Sequence, residues 1–184
     1  MNDKLRLRMK ETNTNYEMAF NSFAKIIKEM KTGNISRTGI KKIAKPVLLL
    51  SVIKGIETGI FKNNYIEYDK VAIIYELVFK QYEMLAKQSE HTPPYYPFYY
   101  LKTDKIWHLN PRTPNSVLKS NSPSAAWVHN NVEYAYLDPT LWEMLQQKEY
   151  RHRFAEFIIE EKIKTATANS RSMLRMFLGW LVAI

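Results

Sequence analysis

The segment Tyr95–Tyr100 is the strongest candidate for binding chemistry, because five of its six residues are aromatic and the sixth is Pro97. Tyrosine rings offer apolar area with a hydroxyl at the edge, and proline offers a rigid surface with no amide hydrogen. Alternate residues of an extended segment face opposite ways, so Tyr96 and Tyr100 are predicted to line a shallow apolar cavity beside Pro97. The alternative is an aromatic core strand that binds nothing.

Histidine patterns are weaker candidates. The four histidines are scattered and form no His-x-x-x-His pair, which would place two imidazoles on one helix face; they are His91, His108, His129 and His152. The run His129-Asn130-Asn131 invites comparison with His-Asn-His nucleases, but those need a ββα-metal unit, and a helical segment follows here. These residues are interpreted as surface or strand histidines.

Acidic residues also lack a catalytic arrangement. A Mg²⁺-dependent nuclease needs carboxylates that share an ion, such as Asp138 with the Glu-x-Lys of Glu160-Glu161-Lys162. The Glu-x-Lys pattern lies on a predicted helix, where charged residues are usually solvent-exposed. The sequence therefore predicts no catalytic residue, no metal site, no cofactor and no enzyme activity.

Basic residues are concentrated at the amino-terminal end. The chain has 27 Lys and Arg against 18 Asp and Glu, a net charge of +9. Residues 1–50 hold eleven basic and four acidic residues, or +7 of that total. Such an excess is typical of proteins that bind a polyanion. The candidates for contacts with a DNA backbone are Arg37, Lys41, Lys42, Lys45, Arg112 and Lys119. The alternative is a solvated basic face without a partner.

Length and composition limit the class of protein. With 184 residues, 46% hydrophobic, the chain is long and apolar enough for one domain with a real core. The absence of cysteine excludes disulfide frameworks and thiol catalysis and favours a cytoplasmic location. The start of the chain lacks the apolar core of a secretory signal, and no apolar run is long and uncharged enough to predict a membrane span.

Hydrophobic periodicity predicts a mainly α fold with a few short β-strands. The predicted helices are Tyr16–Lys31, one from Pro46 to Gly59, Tyr68–Lys87, Asp138–Gln147 with Asp138 as its cap, and Tyr150–Lys164. The predicted strands are Lys105–Leu109 and Val132–Tyr136, and a shorter one is expected near Ile66. Prolines exclude His91–Pro97 from a helix interior, and Phe98 and Leu101 are expected in the core.

The predicted organisation has three parts. Residues 1–14 form a basic arm, residues 15–164 form a compact helical domain, and residues 165–184 form an apolar tail. The tail includes Met173–Ile184, which is too short and too charged to cross a bilayer and is expected to pack as a terminal helix or to mediate association.

Several patterns occur in a characteristic order. They are Lys45-Pro46 before an apolar helix, Gly59, a helix ending near Lys87, Tyr96-Pro97-Phe98, Leu101, Trp107 with Leu109, Ala135-Tyr136-Leu137-Asp138, Leu141-Trp142, Leu145 and Arg151. Over residues 15–163 this order resembles the sulfur-binding domain of bacterial type IV restriction endonucleases that recognise phosphorothioate-modified DNA. The resemblance implies a mainly helical DNA-reading domain.

The resemblance also implies a site. In that family a sulfur atom that replaces a non-bridging phosphate oxygen binds in a small apolar pocket around a Tyr-Pro pair, and basic residues hold the flanking backbone. The pair matches Tyr96-Pro97, with Tyr100 where some relatives have a smaller residue. The implied partner is double-stranded DNA with a phosphorothioate linkage, in a defence system of the restriction type.

Two other functions remain open at this point. Full-length relatives carry a nuclease domain, often of the His-Asn-His kind, and no such motif follows the last predicted helix. The chain is therefore expected to act with a nuclease subunit or by self-association. The first alternative is a nuclease with an unrecognised active site. The second is a basic module that binds proteins or a membrane surface.

Overall fold

The computed structural model describes the backbone of residues 3–167 and the side chains of residues 14–167. Its helices are α1 Asp3–Glu29, α2 Ala44–Glu57, α3 Tyr68–Glu83, α4 Tyr95–Tyr100, α5 Ala125–Asn131, α6 Pro139–Gln146 and α7 Lys148–Ile158. Two strands, β1 Trp107–Pro111 and β2 Val132–Leu137, complete the regular elements with short 3₁₀ and π turns. The prediction of a mainly α fold with short strands is confirmed.

Helix α2 is the centre of the core. Eleven of its fourteen residues are buried, among them Val47, Leu48 and Leu49, because its sequence is apolar on nearly all sides. Each buried aliphatic side chain contributes about 1.5–3 kcal/mol relative to exposure. The helix packs against α3, α4, α6 and α7. It ends before Gly59, whose φ of +73° suits glycine.

The two strands form one antiparallel ribbon, with Trp107 opposite Leu137 and Leu109 opposite Ala135. An isolated bridge between Ile66 and Ala135 ties the segment before α3 to this ribbon. Next to it, the Asn64 side chain donates to the Leu137 carbonyl at 2.8 Å and accepts from the Leu137 amide at 2.9 Å. The two longer predicted strands are confirmed with small shifts in their ends, whereas the shorter one expected near Ile66 is only the single bridge to Ala135.

The aromatic segment is helical, so the prediction of an extended conformation is wrong. Pro93 and Pro94 precede α4, and Pro97 is its third residue. The first-turn amides of a helix have no intrahelical acceptor, so a proline there removes no hydrogen bond. The Tyr96 and Phe98 amides donate to the carbonyls of Pro93 and Pro94 at 3.1 and 3.0 Å.

Both ends of the described chain differ from the predicted element boundaries. Helix α1 begins at Asp3, so it includes much of the predicted basic arm and all of the predicted helix except its last two residues. The turn Lys164–Thr167 follows α7, and Ala166 is buried. The Lys41 amide donates to the Ala166 carbonyl at 2.9 Å, which attaches this turn to the loop between α1 and α2. Residues 168–184, including the predicted tail helix, lie outside the described residues.

Two local features complete the scaffold. The Asp138 side chain accepts from the Thr140 and Leu141 amides and so caps α6, as predicted. Helix α5, which periodicity missed because it has only seven residues, is capped by Ser124. Between residues 3 and 167, no helix is long and apolar enough to cross a membrane.

Candidate nucleic-acid interface

One surface cavity joins α4 to the end of α1 and the start of α2. It has a volume of about 460 Å³ and is open to solvent; it is called the α4 cavity below. Its lining residues are Lys31, Thr32, Gly33, Lys42, Ala44, Lys45, His91, Thr92, Pro93, Tyr96, Pro97, Tyr100 and Thr103. The three predicted pocket residues therefore meet two of the predicted backbone-binding lysines in one concave site.

The apolar wall of the cavity is formed by the outward side of α4. The inward side of α4 holds the helix in place, because Phe98 and Leu101, which follows the helix, are fully buried, as predicted. The Trp107 indole nitrogen donates to the Phe98 carbonyl at 2.8 Å, and the two rings pack edge to face at 5.4 Å. This short helix is thus fastened to the core through both its backbone and its side chains.

Tyr96 and Tyr100 lie one helical turn apart on the same side of α4. Their ring planes are parallel within 8°, their centroids are 6.4 Å apart, and each residue is 37% exposed. Pro97 is buried and lines the cavity between them. The sequence predicted Tyr96 and Tyr100 on one face of an extended segment. In the structure they lie on one face of a helix, because they have the i, i+4 spacing.

The segment before α4 forms the adjoining edge. The buried Tyr75 hydroxyl donates to the Thr92 carbonyl at 2.8 Å, and burial raises the pKa of Tyr75, which keeps its phenol protonated. His91 packs edge to face on Phe79 at 4.9 Å and lies 2.9 Å from a Glu76 carboxylate oxygen. This edge is therefore supported from α3.

The basic wall comes from residues 31–42, a tight loop with a short backbone bridge. The Ile35 amide donates to the Ile40 carbonyl at 2.8 Å, and the Lys42 amide donates to the Gly33 carbonyl at 2.7 Å. Left-handed backbone at Arg37 (φ 59°) and Gly39 (φ 69°) closes the turn between them. The loop backbone is fixed, while its basic side chains project from it.

The loop lysines have few strong partners. The Lys42 ammonium lies 3.6 Å from a Glu90 carboxylate in a half-exposed pair. Lys31 is exposed and lines both the α4 cavity and a neighbouring groove of about 490 Å³ that also includes Lys41 and Lys162. Exposed ion pairs contribute at most about 1 kcal/mol, so these cations can exchange partners readily.

Lys45 differs from the other lysines of the cavity. Its ammonium donates to an Asp104 carboxylate oxygen at 2.6 Å and to the Thr103 hydroxyl at 3.3 Å. The Lys45 and Asp104 side chains are only 14% and 10% exposed. The Thr103 hydroxyl in turn donates to the Tyr100 carbonyl at 2.9 Å, which links this pair to the apolar wall.

The remaining predicted backbone-binding residues do not line the cavity. Arg37 is exposed at the tip of the basic loop. The Arg112 guanidinium donates to the carbonyls of His129 and Val132 at 3.0 and 3.3 Å and so joins the end of α5 to β2. Lys119 is exposed in a loop that is fastened to α4, because the Ser120 amide donates to the Tyr99 hydroxyl at 2.6 Å.

Sequence reasoning missed several lining residues: Lys31, Thr32, Gly33, His91, Thr92, Pro93 and Thr103. Lys31 is among the basic residues counted at the amino-terminal end, and the prolines indicated that residues 92–94 are not inside a helix. Both signals therefore pointed to segments that line the cavity. Neither signal reveals that the end of α1 reaches α4. That proximity depends on the tertiary packing, in which α1 packs against α6 and α7 while α4 packs against α2.

The groups considered for catalysis remain separate in the structure. His129 lies in α5, 3.4 Å from an Asp69 carboxylate oxygen, and His152 pairs with Glu156 on α7. Among the residues whose side chains are described, no three His, Cys, Asp or Glu side chains form a group that could hold a metal ion.

Comparison with known proteins is informative at the level of structure. No family model matches the chain, and no curated protein sequence matches it. A solved structure, the sulfur-binding domain of SprMcrA complexed with phosphorothioated DNA, superimposes with a TM-score of 0.59 at 14% sequence identity. The match covers 82% of this chain and 93% of that chain. The resemblance predicted from the order of motifs is thus confirmed at the level of the fold: this chain has the fold of a sulfur-binding domain.

Proposed function

We propose that this protein binds double-stranded DNA that carries a phosphorothioate linkage, with the sulfur atom in the α4 cavity. The observation that carries the proposal is that Tyr96, Pro97 and Tyr100 line one open cavity together with Lys31 and Lys42. A site for a phosphorothioate backbone has to combine an apolar and a basic surface, because the negative charge attracts cations while the sulfur atom favours an apolar contact. The fold shared with a domain solved on phosphorothioated DNA supports the same function.

The apolar wall supplies the discrimination. Sulfur is larger, more polarisable and less strongly hydrated than oxygen. A phosphate oxygen loses hydrogen bonds to water when it enters an apolar cavity. Unless the protein replaces these hydrogen bonds, binding of the oxygen is disfavoured. Pro97 has no amide hydrogen to offer. The wall therefore tolerates sulfur and disfavours oxygen.

The basic wall supplies affinity that does not depend on the modification. Lys31 and Lys42 line the cavity, and Lys41 and Arg37 extend the positive surface along the same loop. Contacts between lysines and phosphates release counterions, so binding weakens as salt rises. Lys119, which is exposed in the loop attached to α4 through Tyr99, supplies a further backbone contact in this proposal.

The protein acts in this proposal as a reader without its own catalytic step. Its biological setting is a bacterial cytoplasmic defence system of the restriction type. Cleavage is then the work of a nuclease subunit, or of a nuclease recruited by the bound chain.

The test is a fluorescence anisotropy titration with two duplexes of the same sequence, one with a single phosphorothioate linkage and one without. We expect tighter binding to the modified duplex at every salt concentration and a similar salt dependence for both. Equal affinity for the two duplexes would refute the proposal. A parallel incubation of modified plasmid with Mg²⁺ or Mn²⁺ tests the reader assignment, since nicking by the chain alone would identify an enzyme.

A further inference from the structure

We infer that Asp104 is a specificity-determining residue of the α4 cavity, because it holds the Lys45 ammonium away from a bound phosphate oxygen. The inference rests on the proposed function and changes the role predicted for Lys45. Lys45 lines the cavity, but its charge is already paired with Asp104 at 2.6 Å. Asp104 is a positioning residue here, since it acts through Lys45 and lines no part of the cavity itself.

The pair differs from the other ion pairs that the structure describes. In the pairs of Lys25, Lys28, Lys42, Lys54 and Lys70, the lysine side chain is between 34% and 76% exposed, whereas that of Lys45 is 14% exposed. Water screens the electrostatic attraction within such a buried ion pair less than within a surface pair. Two of the three ammonium hydrogens are directed to Asp104 and Thr103. The Lys45 charge is therefore held in one place.

A free Lys45 ammonium beside the apolar wall, unlike Lys31 and Lys42 on the basic wall, would oppose discrimination. Oxygen accepts hydrogen bonds from charged donors strongly, whereas sulfur is a weak acceptor. A lysine that can donate into the cavity would replace the water contacts that a phosphate oxygen loses there. The unmodified linkage would then bind better, and the advantage of sulfur would shrink.

A connection through Thr103 puts the pair next to Tyr100. The Thr103 hydroxyl accepts from Lys45 and donates to the Tyr100 carbonyl at 2.9 Å. The ion pair, the turn Leu101–Asp104 and the end of α4 therefore form one bonded unit beside the apolar wall. The Thr103 hydroxyl keeps its own hydrogen bond to Tyr100, so the charges of Lys45 and Asp104 cancel beside the wall without being required to hold the wall in place.

The test compares Asp104→Asn with the wild-type chain on the modified and unmodified duplexes over a range of salt concentrations. Asparagine keeps the shape and one acceptor oxygen but removes the charge that holds Lys45. We expect affinity for unmodified DNA to rise about tenfold, the effect of one charged hydrogen bond. The slope of log affinity against log salt should steepen by up to about 0.9, and affinity for modified DNA should rise less, so the preference for sulfur falls.

Glu57→Gln is the matched control, because it frees Lys54 from a pair at 2.9 Å that is exposed and does not line the cavity. It changes the net charge by the same amount and should leave the preference unchanged. The double variant Lys45→Met/Asp104→Asn removes both charges. It should bind both duplexes as the wild type does, because the paired Lys45 makes no phosphate contact.

Two results would overturn the inference: an Asp104→Asn variant with unchanged affinity and salt slope for unmodified DNA, or a double variant that binds both duplexes more weakly. If Asp104→Asn unfolds, the folded double variant alone still decides whether Lys45 contacts phosphate. Failure of the proposed function has a different signature, since the wild-type chain would then bind the two duplexes equally. In that case the salt slope of Asp104→Asn on unmodified DNA still tests whether Asp104 restrains Lys45.

Discussion

The two walls of the α4 cavity are built in opposite ways. The apolar wall has Phe98 and Leu101 buried behind it and the Trp107 indole bonded to its backbone. The basic wall has a fixed backbone, but its lysine side chains are long, and Lys31 is exposed and Lys42 partly exposed. A fixed apolar surface offers no hydrogen-bond donor to a phosphate oxygen, whereas lysine side chains attract any phosphate.

This difference separates specificity from affinity within one site. An apolar surface that disfavours a phosphate oxygen loses this effect if it deforms and lets water or a donor in, so the apolar wall needs support from the core. Charge attraction acts over several ångströms and tolerates side-chain motion. The comparison predicts that changes behind or on the apolar wall alter stability and sulfur preference, while changes on the basic wall alter general affinity.

The largest expected effect comes from removing the support behind the apolar wall. Phe98→Ala deletes a fully buried ring that packs on Trp107 and Tyr68. We expect the free energy of unfolding to fall by about 3–5 kcal/mol, measured by urea denaturation. Val117→Ala is the control, because Val117 is 76% exposed and its truncation should change stability by less than about 0.5 kcal/mol. A small loss for Phe98→Ala would show that α4 is only loosely attached.

The next effect concerns the surface of the same wall. Pro97→Ser introduces a hydroxyl donor and a free amide, and Tyr96→Ala removes ring area from the cavity. Each should reduce the preference for modified over unmodified DNA by about 1–3 kcal/mol, the scale of one unsatisfied buried polar group. The measurement is the ratio of the two dissociation constants, after thermal melts have shown that each variant folds. A folded Pro97→Ser variant with the full preference would place the sulfur elsewhere.

A smaller effect, equal on both duplexes, is expected from the basic wall. The double variant Lys41→Ala/Lys42→Ala should weaken binding to modified and unmodified DNA alike and leave their ratio unchanged. The salt slope should shrink by up to about 0.9 for each lost phosphate contact. Lys54→Ala/Lys70→Ala serves as the control, because these lysines carry the same charge and do not line the cavity. An unchanged slope for the first pair would show that the loop faces away from DNA.

The smallest effect is a pH dependence far from both walls. Hydrogen bonds from Arg153 and Tyr150 lower the pKa of Glu17 from its ordinary value of 4.5. A lowered folded-state pKa stabilises the protein at pH values above 4.5, and this stabilisation is lost as pH falls through the folded-state value. Glu17→Gln should therefore lower the melting temperature slightly at pH 7, with a smaller difference from wild type near pH 3. If the melting temperatures of Glu17→Gln and wild type differ equally at both pH values, the ionised Glu17 does not contribute to stability. The preference of Glu17→Gln for modified DNA should equal that of the wild type.

The helical fold and the members of the apolar wall followed from the sequence because their signals are local. Periodicity marks α2 and α3, whose buried residues recur at helical spacing, and Asp138-Pro139 marks the start of α6. The segment Tyr95–Tyr100 stands out by its composition, and the Tyr96-Pro97 pair was identified in it through the family resemblance. The segment is a helix and not the predicted extended strand. Tyr96 and Tyr100 nevertheless share a face, because residues four apart lie on the same face of both a strand and a helix.

The tertiary structure alone decided which basic residues meet that wall. Lys31 and Lys42 reach it because the fold brings the loop between α1 and α2 beside α4, whereas Arg112 is hydrogen-bonded to carbonyls at the junction of α5 and β2. The pairing of Lys45 with Asp104 joins residues 59 positions apart. A charge count treats every lysine alike, but the availability of each charge depends on its burial and its partner, and both are set by contacts between residues distant in the chain.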